Sequence, residues 1–247
     1  MARFAVIFPA AGKSSRYGGK EKKPFDILDG RAVWIRTVEA FLNRDDVGQL
    51  ILVVAPEDRE MVERKFRANL AFMGIKLVDG GKERCDSVAA ALAVLDEGVD
   101  HVAVHDAVRP CVTKELIDRV FQAAVDKGAA VPVLPVADTV KRVDTGTQRV
   151  LETLPRDGLV LTQTPQAFRR ELLVRAYAER PADTVPTDDA SLVERLGAPV
   201  HTVPGTALNI KITTREDLNL ARAILQVMPK PKPKGPLHPF ADEQMWR

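Results

Sequence analysis

The feature that most constrains this chain is a regular alternation of short β-branched apolar runs with segments of helical spacing. Strand-like runs occur at Phe4–Phe8, Leu50–Ala55, Ile75–Val78, His101–His105 and Ala129–Leu134. Helical periodicity covers Ala32–Leu42, Glu57–Leu70, Asp86–Leu95 and Thr113–Lys127 between them. Strands that are apolar on both faces need cover on both sides, which predicts an open, mostly parallel α/β sheet clad in helices. Thr113 suits an N-cap, with Glu115 facing the helix dipole. Thr213 to Glu216 has capping-box spacing ahead of a final helix carrying Leu218, Leu220, Ala221, Ile224 and Leu225. With 45% hydrophobic residues in 247, one or two domains with a sizeable core are expected.

Composition excludes several classes. No apolar run approaches the roughly 20 residues that cross a bilayer. The apolar N-terminus runs straight into Gly12–Arg16, so a first strand is expected there rather than a signal peptide. Cys85 and Cys111 are too few for a disulfide framework, and a reducing, cytoplasmic setting follows as the default. The formal charge is +2, and Lys230, Lys232, Lys234 and Arg247 outnumber Asp242 and Glu243 in the last stretch. The body is therefore near neutral, and nucleic acid is not an expected partner. Residues 1–227 read as a single domain, and 228–247 as a Pro/Lys-rich tail, extended and mobile. Val136–Leu154 breaks the alternation, with β-type runs on each side of Asp144-Thr-Gly-Thr. It reads as a hairpin arm, a surface decoration or a reach to a partner subunit.

Open α/β sheets bind ligands at the carboxyl ends of their strands. The first such loop, Pro9 to Pro24, opens with Ala10, Ala11 and Gly12 and continues with Arg16, Lys20, Lys22 and Lys23. Small residues admit a ligand close to the backbone, amides cradle phosphate oxygens, and the cations surround that cradle. It is not a Walker A loop, because Ile7 occupies the position of the required first glycine, and there is no GxGxxG. Asp79 to Ser87 leads a strand into a helix through Gly80 and Gly81, with Ser87 as a hydroxyl. Asp106 follows a valine-rich strand, where a carboxylate can hold Mg²⁺ beside phosphates or simply cap the next turn. His105 reads as a packed or hydrogen-bonding residue, and both cysteines as small, semi-buried ones.

These segments resemble the 2-C-methyl-D-erythritol 4-phosphate cytidylyltransferase family over about residues 3–227. The resemblance rests on PAAGKSSRY (9–17), KKPF (22–25), DGGKERCDSV (79–88) and VHDAVRPC (104–111). It continues through PVADTVKR (135–142), TQTPQAF (162–168), TDDAS (187–191) and NIKIT (209–213). It implies a Rossmann-like nucleotidyltransferase sheet with a protruding arm, and transfer of CMP from CTP to 2-C-methyl-D-erythritol 4-phosphate with release of pyrophosphate. It further implies Arg16 and Lys23 on the reacting α-phosphate, and Ala10, Ala11, Gly12, Gly80, Gly81 and Ser87 on CTP. Asp106 would place Mg²⁺ against CTP. Arg156 and Lys211 would orient the methylerythritol phosphate, with Arg109, Thr139, Thr164 and Thr187 around it. The arm would embrace a second subunit, giving a homodimer in which Arg156 serves the neighbouring site. The chain departs from the family pattern at Ser14, where a permissive glycine is usual, and at Pro24, which stiffens the chain after Lys23.

Two alternatives stand beside this reading. A ribitol-phosphate cytidylyltransferase would share the fold and nucleotide loops, but its first loop reads more like LAGGxGxR than PAAG. A non-catalytic nucleotide-binding module would share the fold alone, and the joint presence of Arg16, Lys23, Asp106 and Lys211 argues against it.

Overall fold

The computed structural model of the protein describes residues 2–12, 14, 17, 21–181 and 183–228. Arg16 and nearly all of the Pro/Lys-rich tail lie outside the described residues. The chain begins with β1 (Phe4–Pro9), a small ribbon of β2 (Ile27–Leu28) and β3 (Arg31–Ala32), and α1 (Val33–Glu39). Then follow β4 (Val47–Val54), α2 (Arg59–Phe72), β5 (Ile75–Asp79), α3 (Arg84–Leu92), β6 (His101–Val104) and α4 (Lys114–Lys127). The strand β7 (Ala129–Pro135) leads into β8 (Val140–Asp144) and β9 (Arg149–Leu154). The last part holds β10 (Val160–Thr162), β11 (Gln166–Arg169), α5 (Arg170–Ala178), α6 (Ala190–Arg195), β12 (His201–Pro204) and α7 (Arg215–Val227).

The sheet order is β10-β7-β11-β6-β1-β4-β5, with β12 also pairing β7. The β5-β4-β1-β6 half is parallel throughout, whereas β11 and β10 run antiparallel to their neighbours. Strand pleating sends alternate residues of β1 to opposite faces. Phe4, Val6 and Phe8 enter one core with Trp34 of α1, Phe41 just after it, Phe66 of α2 and Leu116 of α4. Ala5 and Ile7 enter the other, with Val88 of α3, Leu173 of α5 and Val193 of α6. The amphipathic α7 forms a third cluster, laying Leu218, Ala221 and Ile224 over Tyr17, Leu28, Val33 and Ile212. The expected two-sided α/β sheet is present.

The expected arm is present as well. The strands β8 and β9 pair only with each other among the described residues. At the tip, the Asp144 carboxylate accepts from the Thr147 amide (2.7 Å) and hydroxyl (2.9 Å). The segment between the arm and α7, which carries no clear sequence period, holds β10, β11, α5, α6 and β12.

The capping box before α7 lies one residue later than its spacing suggested. Thr214, not Thr213, is the N-cap, and its hydroxyl accepts from the Asp217 amide at 3.3 Å. Asp217 Oδ2 returns the bond to the amides of Thr213 (2.7 Å) and Thr214 (2.8 Å) and to the Thr213 hydroxyl (2.6 Å). A carboxylate that accepts all three wins over Glu216, the residue whose spacing matched. Thr214→Ala should cost about 1 kcal/mol in urea unfolding, as loss of an N-cap does. Glu216→Gln should stay within about 0.5 kcal/mol.

Candidate active site

The carboxyl ends of β1, β4, β5 and β6 open into one cavity of about 610 Å³. The first loop enters it through Ala10, Ala11, Gly12 and Ser14, and Lys23 also lines it. A Cβ added at Gly12 would meet nothing within 4 Å, so this backbone is open to a ligand. Ser14 adopts a left-handed φ of 53°. That conformation costs a non-glycine residue energy. The Ser14 hydroxyl accepts from the Lys23 amide at 3.1 Å, so the side chain ties the two ends of the loop together. Pro24 and Phe25 are buried in a single 3₁₀ turn that begins at Lys23, and the Phe25 ring stacks on Phe66 of α2. Lys22 pairs with Glu57 (3.2 Å) and Asp58 (2.6 Å) before α2. The stiff Pro24 thus anchors the lysine segment to the body.

Gly80 and Gly81 have a second reason to be glycine. A Cβ on Gly80 would sit 2.7 Å from both Ala11 Cβ and Ser87 Oγ, and one on Gly81 would sit 2.4 Å from Asp86 Cβ. Tight packing of the first and third loops therefore demands them, in addition to any approach of a ligand. Ser87 is buried, and its hydroxyl accepts from the Gly81 amide (3.2 Å) and donates to the Glu83 carbonyl (3.2 Å), closing the turn.

Asp106 lies at the floor of the cavity with its side chain 8% exposed. Its Oδ2 meets Lys211 Nζ at 3.0 Å and Arg109 Nε at 3.2 Å, and Oδ1 faces Arg84 Nε at 3.6 Å. Burial alone would push its pKa up, but Lys211, Arg84 and Arg109 outweigh burial and hold it well below the ordinary carboxylate range. The carboxylate is thereby held in its ionised form at neutral pH. Arg109 is buried behind it and donates through Nη1 to the Asn209 carbonyl at 2.7 Å, which joins the β6 loop to the segment carrying Lys211.

The Asp106 amide donates to Thr164 Oγ1 at 3.1 Å, and that hydroxyl lies 3.1 Å from His105 Nδ1. The other ring nitrogen of His105 lies 3.3 Å from the Arg109 carbonyl. Only one assignment satisfies all of them: Thr164 donates to Nδ1 and Nε2–H donates to the carbonyl. Complete burial pushes the His105 pKa down to about 3. As expected, His105 is a packed, hydrogen-bonded residue, and it is neutral.

Lys23, Lys211, Asp106, Ala10, Ala11, Gly12, Gly80, Gly81 and Ser87 all line the one cavity. Arg109 and Thr164 lie just behind it. Thr139, Arg156 and Thr187 are exposed and do not line it. Arg156 lies beyond the arm and donates to the Ala137 carbonyl at its base. Sequence reasoning missed Arg84 and Asp189. Arg84 was hidden inside DGGKERCDSV and Asp189 inside TDDAS, and their contact spans 105 positions, which no local pattern reveals.

The neutral His105 makes the fold sensitive to acid. Above about pH 6.5 the ring is uncharged in both folded and unfolded chains. Between 6.5 and 3 only the unfolded chain takes up the proton, so stability falls as pH falls through that window. Urea midpoints should decline from pH 7 to 4.5, and His105→Asn should flatten that slope whatever it does to stability at pH 7.

The family model for 2-C-methyl-D-erythritol 4-phosphate cytidylyltransferase (IspD) matches residues 4–227. The enzyme of that description from Solibacter usitatus is 41% identical over 91% of this chain and 96% of its own. The one from Frankia casuarinae is 45% identical over 90% of this chain and 81% of its own. The crystal structure of the Thermus thermophilus enzyme superposes with a TM-score of 0.74 at 34% identity, covering 92% of this chain and all of that one. The chain belongs to the 2-C-methyl-D-erythritol 4-phosphate cytidylyltransferase family, and it is a nucleotidyltransferase that moves CMP from CTP to 2-C-methyl-D-erythritol 4-phosphate in isoprenoid precursor biosynthesis.

Proposed function

We propose that the cavity at the β1, β4, β5 and β6 ends is where this transfer occurs, with Lys23, Lys211 and Arg16 gathering the charge of two polyanions. The observation that carries this reading is that Lys23, Lys211 and Asp106 line one cavity. The incoming phosphate oxygen is already an anion, so the protein needs no nucleophile of its own. Its task is to bring phosphates together and to stabilise charge at the α-phosphorus as pyrophosphate leaves. Ala10, Ala11, Gly12, Gly80, Gly81 and Ser87 form the nucleotide side. Arg109 and Thr164 set the position of Asp106 through their bonds to it.

Asp106 suits Mg²⁺, which prefers one or two carboxylates together with phosphate oxygens. No group of three acidic, histidine or cysteine side chains converges among the described residues, so the remaining ligands would be phosphate oxygens and water. Bound there, Mg²⁺ would neutralise phosphate charge. Lys23→Ala should lower kcat by about 10²-fold, as loss of a preorganised donor does. A normal kcat with a raised KM would limit Lys23 to uniform binding. Asp106→Asn should weaken the apparent Mg²⁺ affinity, and an unchanged metal titration would remove Asp106 from the metal site.

We also propose a homodimer built through the arm, in which Arg156, Thr139 and Thr187 face the methylerythritol phosphate. Val143, Val150 and Leu151 on the arm and Leu159, Val160 and Leu161 beside it are exposed. An apolar surface of this kind calls for cover. A two-stranded hairpin is at best marginally stable alone. The partner subunit is the occupant that would also give Arg156 a site to serve. The free, buried Cys85 and Cys111 suit a cytoplasmic enzyme. Replacing Leu151 and Leu161 with Asp should yield monomers by sedimentation, with kcat well below wild type. A fully active wild-type monomer would refute the dimer.

A further inference from the structure

The TDDAS segment places two aspartates at the start of α6, and only one of them serves the helix. Asp188 Oδ1 accepts from the Ser191 amide at 3.0 Å. Asp189 is the residue before α6 yet makes no side-chain cap. Its amide is instead taken by Gln166 Oε1 at 3.1 Å, and its carboxylate turns inward. Asp189 is fully buried. Its Oδ1 accepts from Tyr177 OH at 2.5 Å, and its Oδ2 meets Arg84 Nη2 at 2.8 Å. A buried carboxylate held so firmly is a fixed anchor, and Arg84 is the cation that neutralises it.

Arg84 therefore answers to two carboxylates. It is in full contact with Asp189 and stands 3.6 Å from Asp106 Oδ1. Oδ2 of Asp106 is committed to Lys211 and Arg109, so Oδ1 is the oxygen left for a ligand. We infer that Asp189 is a positioning residue that holds Arg84 back from Asp106 and so keeps Oδ1 available to the divalent cation that accompanies CTP. This rests on the reading of Asp106 as the metal-binding carboxylate. Without the charge of Asp189, the guanidinium has Asp106 as its remaining counter-ion and closes onto Oδ1. The charge distribution, rather than a change of shape, is what Asp189 contributes.

The test compares CTP dissociation constants by calorimetry with Mg²⁺ and with EDTA, in the absence of the second substrate. Asp189→Asn keeps the size of the side chain and an acceptor for Tyr177. It should reduce the Mg²⁺-dependent gain in CTP affinity by about tenfold or more, the scale seen when a group supporting a metal ligand is lost. The double variant Asp189→Asn, Arg84→Gln removes the cation that would close on Asp106, and it should recover most of that gain. A purely structural role predicts additive losses in the double variant instead. Additive losses, or an unchanged gain in Asp189→Asn, would overturn the proposal while Asp106→Asn abolishes the gain. If Asp106→Asn itself keeps the gain, the metal reading fails. Should Asp189→Asn not fold, the double variant decides alone: a gain close to wild type supports the proposal, and its loss overturns it.

Discussion

One buried carboxylate organises the candidate active site. Asp106 is an anion on the floor of the cavity, and it is stable there only because Lys211, Arg109 and Arg84 surround it. Those cations come from three separate parts of the chain: the segment after β12, the loop after β6 and the start of α3. Each is thereby drawn to the same point. The carboxylate works as a template that collects positive charge, and under the proposed function that charge is in place before any phosphate arrives.

The fold explains why this gathering is possible. Parallel strands place their carboxyl ends at one edge, and the loops leaving β1, β4, β5 and β6 all open there. Behind the loops, Phe25 on Phe66 and Tyr17 OH on Asp26 (2.7 Å) tie the lysine-bearing segment to hydrophobic packing. Arg215 at the start of α7 lies over the Tyr17 ring, 5.3 Å from its centroid. The segments carrying Lys23 and Lys211 are therefore braced against each other through groups that do not enter the cavity.

Much of this was legible in the sequence, and the rest was not for identifiable reasons. The parallel half announced itself because strands buried on both faces are continuous apolar runs, as in Leu50–Ala55. The antiparallel half did not: β10 and β11 span only Val160–Thr162 and Gln166–Arg169, too short to show a period. Lys23 and Asp106 stood out as polar residues after apolar strands, whereas Lys211 was marked only by the family resemblance of NIKIT (209–213). Arg84 and Asp189 did not, since their meaning lies in a contact across the fold. The Thr214 cap was displaced by one residue because Asp217 can accept three donors where the spacing rule counts one. Gly80 and Gly81 looked like ligand-facing glycines, whereas the crowding around Ala11, Ser87 and Asp86 shows that close packing also selects them.

The way the arm joins the sheet has its own consequence. The strand β7 ends at Pro135 and the chain returns as β10, where Val160 lies opposite Pro135 in the antiparallel ladder. The two roots of the arm are thus already held side by side by the sheet. Everything between them is an excursion whose ends need no further closure, so the hairpin tip at Asp144–Thr147 can change in length without shifting the register of the sheet. Under the proposed dimer, subunit recognition could be re-tailored at the exposed Val143, Val150 and Leu151 of the arm while Lys23, Asp106 and Lys211 keep their places in the cavity.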